Sequence, residues 1–336
     1  MRNVFTVVGV VAALSSCSTP QSDAARSTEQ SEQRPVERAP VAPSVRQIVV
    51  APGTHLEVLD WGGEGEPLVF LAGLGNTAHA FEDFGQTFVD RHRVVAVTRR
   101  GFGASSQPST GYDIETRVAD LRAVLDSLKF SRVNLVGHSI AGGELTAFAA
   151  RYPDRVLRLV YLDAAYDHRI QSKAKRPPLP PMSSVDSSSP EGVLAYSTRF
   201  GQPLPLGEIR ATGVFDARGH LIGDVTRGTI YGEIMKGLEA PRYAEVKAPA
   251  LAFYAGWTSP ERALSPTWWE GMSEADQSQT RVMLQDMHDR MRTERDKFTA
   301  AVQRAKVVDL PNANHFVWLT DRERVVSEMR AFLAGQ

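Results

Sequence analysis

Short apolar runs alternate with amphipathic helical patterns along most of this 336-residue chain, and this alternation leaves few folds open. The apolar runs lie at 46–51, 55–61, 67–72, 93–98, 132–136, 156–163, 250–255 and 306–310. Helical patterns lie at 114–128, 141–151, 280–305 and 322–333. The third, fifth and seventh runs are almost wholly apolar, as is typical of strands covered on both faces. We therefore predict an α/β fold with a mostly parallel, eight-stranded sheet and helices on both of its faces.

One region interrupts the alternation. Residues 165–245 are rich in Pro, Ser and Gly, and they include the stretches PPLPPM and SSVDSSSP. A connection of this length is unusual in a compact domain, and such segments often carry function. We predict a lid that is inserted after the sixth strand, between core segments 46–164 and 246–336.

The first residues resemble a bacterial lipoprotein signal. Arg2 precedes an apolar run over 4–14, and Cys17 follows a stretch of small residues. This pattern predicts a signal peptide over 1–16, lipidation at Cys17 and a disordered tether over 17–45. The implied location is the periplasmic face of the membrane or the outer membrane, with the lipid as the only membrane contact. A plain signal peptide that happens to contain a cysteine is the alternative.

The composition limits the kinds of partner and cofactor that the sequence predicts. Lys and Arg total 38 and Asp and Glu total 39, so nothing favours a nucleic acid as a partner. Cys17 is the one cysteine, which excludes an intramolecular disulfide. The sequence contains no phosphate loop, no dinucleotide fingerprint and no recognisable metal-ligand spacing, so it predicts no cofactor and no metal.

The stretch NLVGHSIAGGE places Ser139 between a buried strand and a helix. A sharp turn there needs small residues two positions to either side, and Gly137 and Ala141 meet that need. The serine oxygen would then project at the carboxyl edge of the sheet, where open α/β sheets bind ligands. A serine that only caps the helix is the alternative.

This turn resembles the nucleophile turn of the α/β-hydrolase fold, Gly-x-Ser-x-Gly, from which Ala141 departs. The resemblance implies that Ser139 is a nucleophile and that His315, in the loop after the last strand, is its base. It also implies that the backbone N–H groups of Ile140 and Leu74 form an oxyanion hole. Leu74 lies in the stretch AGLGN after the third strand.

The orienting acid is less clearly indicated. Many members of the fold carry it as Gly-x-x-Asp after the seventh strand, where this chain has Ser259. Asp163 ends the sixth strand and is our first choice, because a charge at the end of so apolar a strand needs a partner. Glu261 is the second choice. Asp167, Asp286 and Asp289 are further alternatives.

The resemblance implies a serine hydrolase that cleaves a small to medium apolar carboxylic ester through an acyl-enzyme. An acyltransferase or perhydrolase, or a carbon–carbon bond hydrolase, could use the same triad. A surface lipoprotein that uses the fold only as a binding scaffold is an alternative from another class.

Overall fold

A computed structural model of the chain describes residues 42–170, 180–256, 264, 266–311 and 313–335. The signal peptide, Cys17 and Glu261 lie outside these residues, and their assignments stay predictions. No helix within the described ranges is long and apolar enough to cross a bilayer.

The main sheet has eight strands, and all eight were predicted from the sequence. Two further strands, β7 and β8, form a separate hairpin. The ten strands are β1 Ser44–Ala51, β2 Thr54–Gly62, β3 Glu66–Leu71, β4 His92–Val97, β5 Val133–His138, β6 Val156–Leu162, β7 Gly213–Phe215, β8 Leu221–Asp224, β9 Ala250–Ala255 and β10 Ala305–Leu310.

The strand order of the main sheet is β1-β2-β4-β3-β5-β6-β9-β10. The β1–β2 and β2–β4 pairs are antiparallel, and every later pair in that order is parallel. The parallel strands bring their carboxyl ends to one edge of the sheet, as the predicted fold requires.

Helices in the described residues follow the predicted alternation. They are α1 Glu82–Gly85, α2 Ile114–Ser127, α3 Ala141–Arg151, α4 Pro190–Arg199, α5 Leu206–Thr212, α6 Gly228–Lys236, α7 Pro266–Glu270, α8 Glu274–Ala301, α9 Val317–Thr320 and α10 Arg322–Leu333. The four predicted helices are α2, α3, α8 and α10. Helix α8 starts six residues before its predicted start, because Ser273 caps it by accepting from the N–H of Asp276 at 3.1 Å.

Two apolar clusters cover the two faces of the sheet. Val69 and Leu71 of β3 pack on one face with residues of α2, α3 and α8. Leu68 and Phe70 of the same strand pack on the other with residues of 78–88, α9 and α10. A parallel strand with a helical layer on each face has no polar side, which explains its nearly continuous apolar sequence.

The chain between β6 and β9 forms structure of its own. Its described part contains α4, α5, the β7–β8 hairpin and α6. We refer to residues 165–245 as the insert, and its role as a lid stays a prediction.

Candidate active site

Ser139 occupies a strained turn between β5 and α3. Its φ angle is +53°, a left-handed conformation that few non-glycine residues adopt. The Ser139 N–H donates to the carbonyl of Leu162 at 3.3 Å, and the N–H of Gly142 donates to the Ser139 carbonyl at 2.9 Å. The fold thus holds Ser139 at the carboxyl edge of the sheet in a conformation that local preference alone would not select.

The residues around this turn are small because their neighbours leave no room. A Cβ on Gly137 would lie 2.7 Å from Cδ1 of Leu145. A Cβ on Gly142 would lie 1.9 Å from the backbone oxygen of Ala164. The glycines therefore allow α3 to pack directly against the chain that leaves β6.

We expect Gly142→Ala to destabilise the fold by about 3 kcal/mol, the upper end of the usual cost of overpacking, because the added methyl would meet a fixed backbone oxygen. Gly143→Ala is the matched control, since a Cβ there meets nothing within 4 Å. It is expected to gain about 0.5–1 kcal/mol from helix propensity. Urea unfolding measures both values, and equal midpoints for the two variants would contradict this account of the turn.

His315 and Asp163, which are 152 residues apart in sequence, are in direct contact. Nδ1 of His315 lies 2.6 Å from Oδ2 of Asp163. The other carboxylate oxygen accepts from the N–H of Ala255 at 3.0 Å and from the hydroxyl of Tyr166. Burial, followed by the nearby Asp163 charge, raises the pKa of Tyr166 well above its ordinary value, so this hydroxyl keeps its proton. The buried carboxylate is therefore fixed in one orientation, with Oδ2 directed at the imidazole.

His138 ties the His315 loop to the serine turn. Its Nε2–H donates to the His315 carbonyl at 3.0 Å, and the two ring centroids are 4.5 Å apart. Burial, and then the neighbouring His315, lowers the pKa of His138 well below its ordinary value, so its ring is neutral. This contact joins residues that are 177 positions apart in sequence.

The loop after β3 lies beside the same turn. Asn76 N–H donates to the Gly73 carbonyl at 3.3 Å, and Gly75 has a φ of +85°. This is a turn with glycine at the position that requires a positive φ. A Cβ on Gly73 would lie 3.2 Å from Cβ of Ser139, so the loop approaches the serine closely. Within the described residues, the N–H groups of Leu74 and Ile140 donate to no other group of the protein.

Arg99, which follows β4, holds this loop. Its guanidinium donates to the carbonyls of Ala72 at 2.8 Å and Gly73 at 3.2 Å, and to Glu144 of α3 at 2.6 Å. Glu144 also accepts from Arg117 at 2.7 Å. This buried network links the loop after β3 to the helix that follows Ser139.

The insert covers the loop after β3. Ile230 and Ile234 of α6 belong to an apolar cluster with Phe102, Tyr112 and Ile140, and Leu74 packs against that cluster. Leu74 and Ile140, whose N–H groups have no partner in the described part of the chain, are therefore shielded by apolar side chains.

The structure thus brings Ser139, Asp163, His315, Leu74 and Ile140 to one edge of the sheet. Glu261, the alternative acid, lies outside the described residues. Sequence reasoning did not identify Glu208 of α5, whose buried carboxylate contacts the loop after β3. The segment LPLGEIR that contains it has no pattern that would distinguish a buried acid from a solvated one.

A family model described as the alpha/beta hydrolase fold matches residues 66–190. The match includes Ser139 and Asp163 and ends before His315. Together with the solved structures, it shows that the chain has the α/β-hydrolase fold.

The relatives that match this chain in sequence are named for several different activities. The chain is 30% identical over 188 residues to a non-heme chloroperoxidase of Streptomyces lividans. The aligned residues make up 55% of this chain and 60% of that protein. The chain is 37% identical over 124 residues to a 2-hydroxy-6-oxo-2,4-heptadienoate hydrolase of Pseudomonas putida. The aligned residues make up 36% of this chain and 45% of that protein. The matches span about half the length of such relatives.

A crystal structure of E-2-(acetamidomethylene)succinate hydrolase superposes with a TM-score of 0.60 at 19% identity. The superposition covers 87% of this chain and 99% of that one. At this identity the likeness shows the fold alone.

Proposed function

We propose that this chain is a serine hydrolase that cleaves a carboxylic ester through an acyl-enzyme, with Ser139, His315 and Asp163 as its triad. One observation carries the proposal. Asp163 Oδ2 lies 2.6 Å from His315 Nδ1, and His315 contacts His138, the residue directly before a serine that is held at a positive φ between strand and helix. A nucleophile on a strained turn, a base and an orienting acid are the parts that serine acyl transfer needs.

In this mechanism, Asp163 accepts the Nδ1 proton of His315 in a hydrogen bond, which leaves Nε2 free to act as the base. Nε2 takes the proton of Ser139 as its oxygen attacks the ester carbonyl. It then gives that proton to the departing alcohol, and the acyl group stays on Ser139. Water attacks the acyl-enzyme with the same base, releases the acid and restores the serine.

The oxyanion is stabilised by the N–H groups of Leu74 and Ile140. Support comes from the close approach of the loop after β3 to Ser139, and from the finding that no described residue accepts from these two N–H groups. Donors fixed before the reaction contribute most in a site from which water is excluded. The apolar cluster around Ile140, Ile230 and Ile234 provides that exclusion.

A screen of p-nitrophenyl esters from acetate to laurate tests the proposal. We expect hydrolysis well above the buffer rate, with a kcat/KM that rises from acetate to medium acyl chains, because the cluster that borders the site is apolar. A folded protein that accelerates none of these esters would favour the binding-scaffold alternative.

Relatives named non-heme chloroperoxidases favour a second candidate, perhydrolysis. Hydrogen peroxide would replace water in attack on the acyl-enzyme, and the products would be a peracid and the free serine. Adding peroxide to the ester screen and assaying the peracid separates the two, since only the acceptor differs.

A further inference from the structure

Glu208 is a buried carboxylate that the proposed mechanism does not use. It belongs to α5 of the insert, and it is 1% exposed. Oε1 accepts from Asn76 Nδ2 and from the Thr77 N–H, each at 3.0 Å. Oε2 accepts from the Thr77 hydroxyl and, at 3.2 Å, from the same N–H. Among the described residues, all hydrogen-bond partners of this carboxylate belong to the loop after β3 and the turn that follows it.

An acid at this position is costly to the fold. Burial raises the pKa of Glu208 to about 7, against the opposing effect of its Thr77 and Asn76 hydrogen bonds. Because folding raises this pKa, the folded protein favours the protonated form of Glu208. The resulting contribution to the free energy of unfolding is complete only below the pKa of an exposed glutamate. That contribution is lost as the pH rises through about 7. A glutamine would fill the same space without this pH-dependent loss, but its NH₂ group could not accept from Thr77 as Oε2 does.

Among the described residues, His79 and Tyr231 of α6 interact electrostatically with Glu208, and the carboxylate of Glu82 in α1 lies against the adjacent Gly207. Burial lowers the pKa of His79, but hydrogen bonds to Glu57 and Glu82 outweigh burial and raise that pKa to about 10. Burial raises the pKa of Tyr231. His79 and Tyr231 therefore keep their protons near neutral pH, where Glu208 titrates.

The loop is held at both ends of its turn. On the amino-terminal side of the turn, Arg99 donates hydrogen bonds to the carbonyls of Ala72 and Gly73. On the carboxyl-terminal side, Glu208 accepts hydrogen bonds from Asn76 and Thr77. The Leu74 N–H belongs to the same peptide as the Gly73 carbonyl, which accepts from Arg99 and from the N–H of Asn76, the residue whose side chain Glu208 holds. The direction of this peptide is therefore set by one contact from the core and one from the insert.

We propose that Glu208 is a positioning residue for the oxyanion hole, so that the insert, besides covering the site, sets the geometry of the loop that carries the Leu74 N–H. The proposal rests on the serine hydrolysis proposed above. A second contact ties the insert to the site, because Asn314, next to His315, donates to the Gly201 carbonyl at 2.6 Å. The position of the insert is thereby linked to the position of the catalytic loops.

The test compares wild type, Glu208→Gln and Glu208→Ala on one p-nitrophenyl ester at about pH 6 and about pH 8.5, with the melting temperature of each protein. We expect Glu208→Gln to lower kcat about tenfold at the higher pH, with little change in KM, because one oxyanion donor is misdirected. At the lower pH the difference should shrink to about twofold or less, because the protonated glutamate resembles glutamine. Its melting temperature at the higher pH should equal or exceed that of wild type.

Glu191→Gln is the matched control, since Glu191 is an exposed acid of the insert that pairs with Arg210 on α5. Its kcat should stay at the wild-type value. If Glu208→Ala does not fold, Glu208→Gln still decides the question. An unchanged kcat for Glu208→Gln, or a loss equal at both pH values, overturns the inference and leaves the proposed function standing. A wild-type protein that hydrolyses no ester overturns both.

Discussion

Ser139→Ala is expected to lower kcat/KM for any ester that the wild type hydrolyses by about 10⁴-fold or more, because no other group can form the acyl-enzyme. The fold should survive the change. Alanine differs from serine by one oxygen, and its strain at the φ of +53° is similar. Circular dichroism and the melting temperature check that the variant is folded, and initial rates give the loss.

Ser127→Ala is the matched control, since Ser127 is an exposed serine at the end of α2. Its activity should equal that of wild type. A folded Ser139→Ala protein that retains a tenth or more of the activity would remove the nucleophile from the mechanism, and with it the acyl-enzyme.

Asp163→Asn is expected to lower kcat by about 10³–10⁴-fold, with a smaller effect on KM. The argument follows from the two carboxylate oxygens. Oδ1 accepts from Ala255 N–H and the Tyr166 hydroxyl, so an asparagine would place its carbonyl oxygen there and its NH₂ group against His315. Nδ1 of His315 must then accept a hydrogen bond and lose its proton. The proton moves to Nε2, which can no longer take the proton of Ser139.

Asparagine suits this test because Asp163 has a φ of +48°, a conformation that asparagine adopts as readily as aspartate. Glu261→Gln is the comparison variant, because Glu261 is the other acid that the sequence offered. We expect it to retain wild-type kinetics. Loss of activity in Glu261→Gln, with Asp163→Asn unaffected, would transfer the orienting role to Glu261.

The sequence predicted the sheet well because its evidence is local. A run such as 67–72 is apolar at nearly every position, which few structures other than a doubly covered strand explain. The β7–β8 hairpin was not predicted. Its strands have three and four residues, and they leave Val214 and Ile222 exposed, so they have no buried face to impose alternation.

The site was predictable only as far as its local chemistry extends. The turn at Ser139 is encoded within a few neighbouring residues, whereas the choice of acid depends on which carboxylate meets His315 in space. Asp163 and His315 are 152 positions apart, and no pattern along the chain encodes their contact. The same holds for Glu208, which meets Thr77 across 131 positions.

The most direct test of the central proposal is covalent labelling with a serine-directed phosphonate, followed by mass spectrometry of the peptides. We predict one adduct, on Ser139, that forms in the wild type and is absent from Ser139→Ala. The adduct should also form much more slowly in Asp163→Asn, because the same base activates the serine toward the probe. Labelling that persists in Ser139→Ala, or a folded wild-type protein that does not label, would contradict the proposed nucleophile.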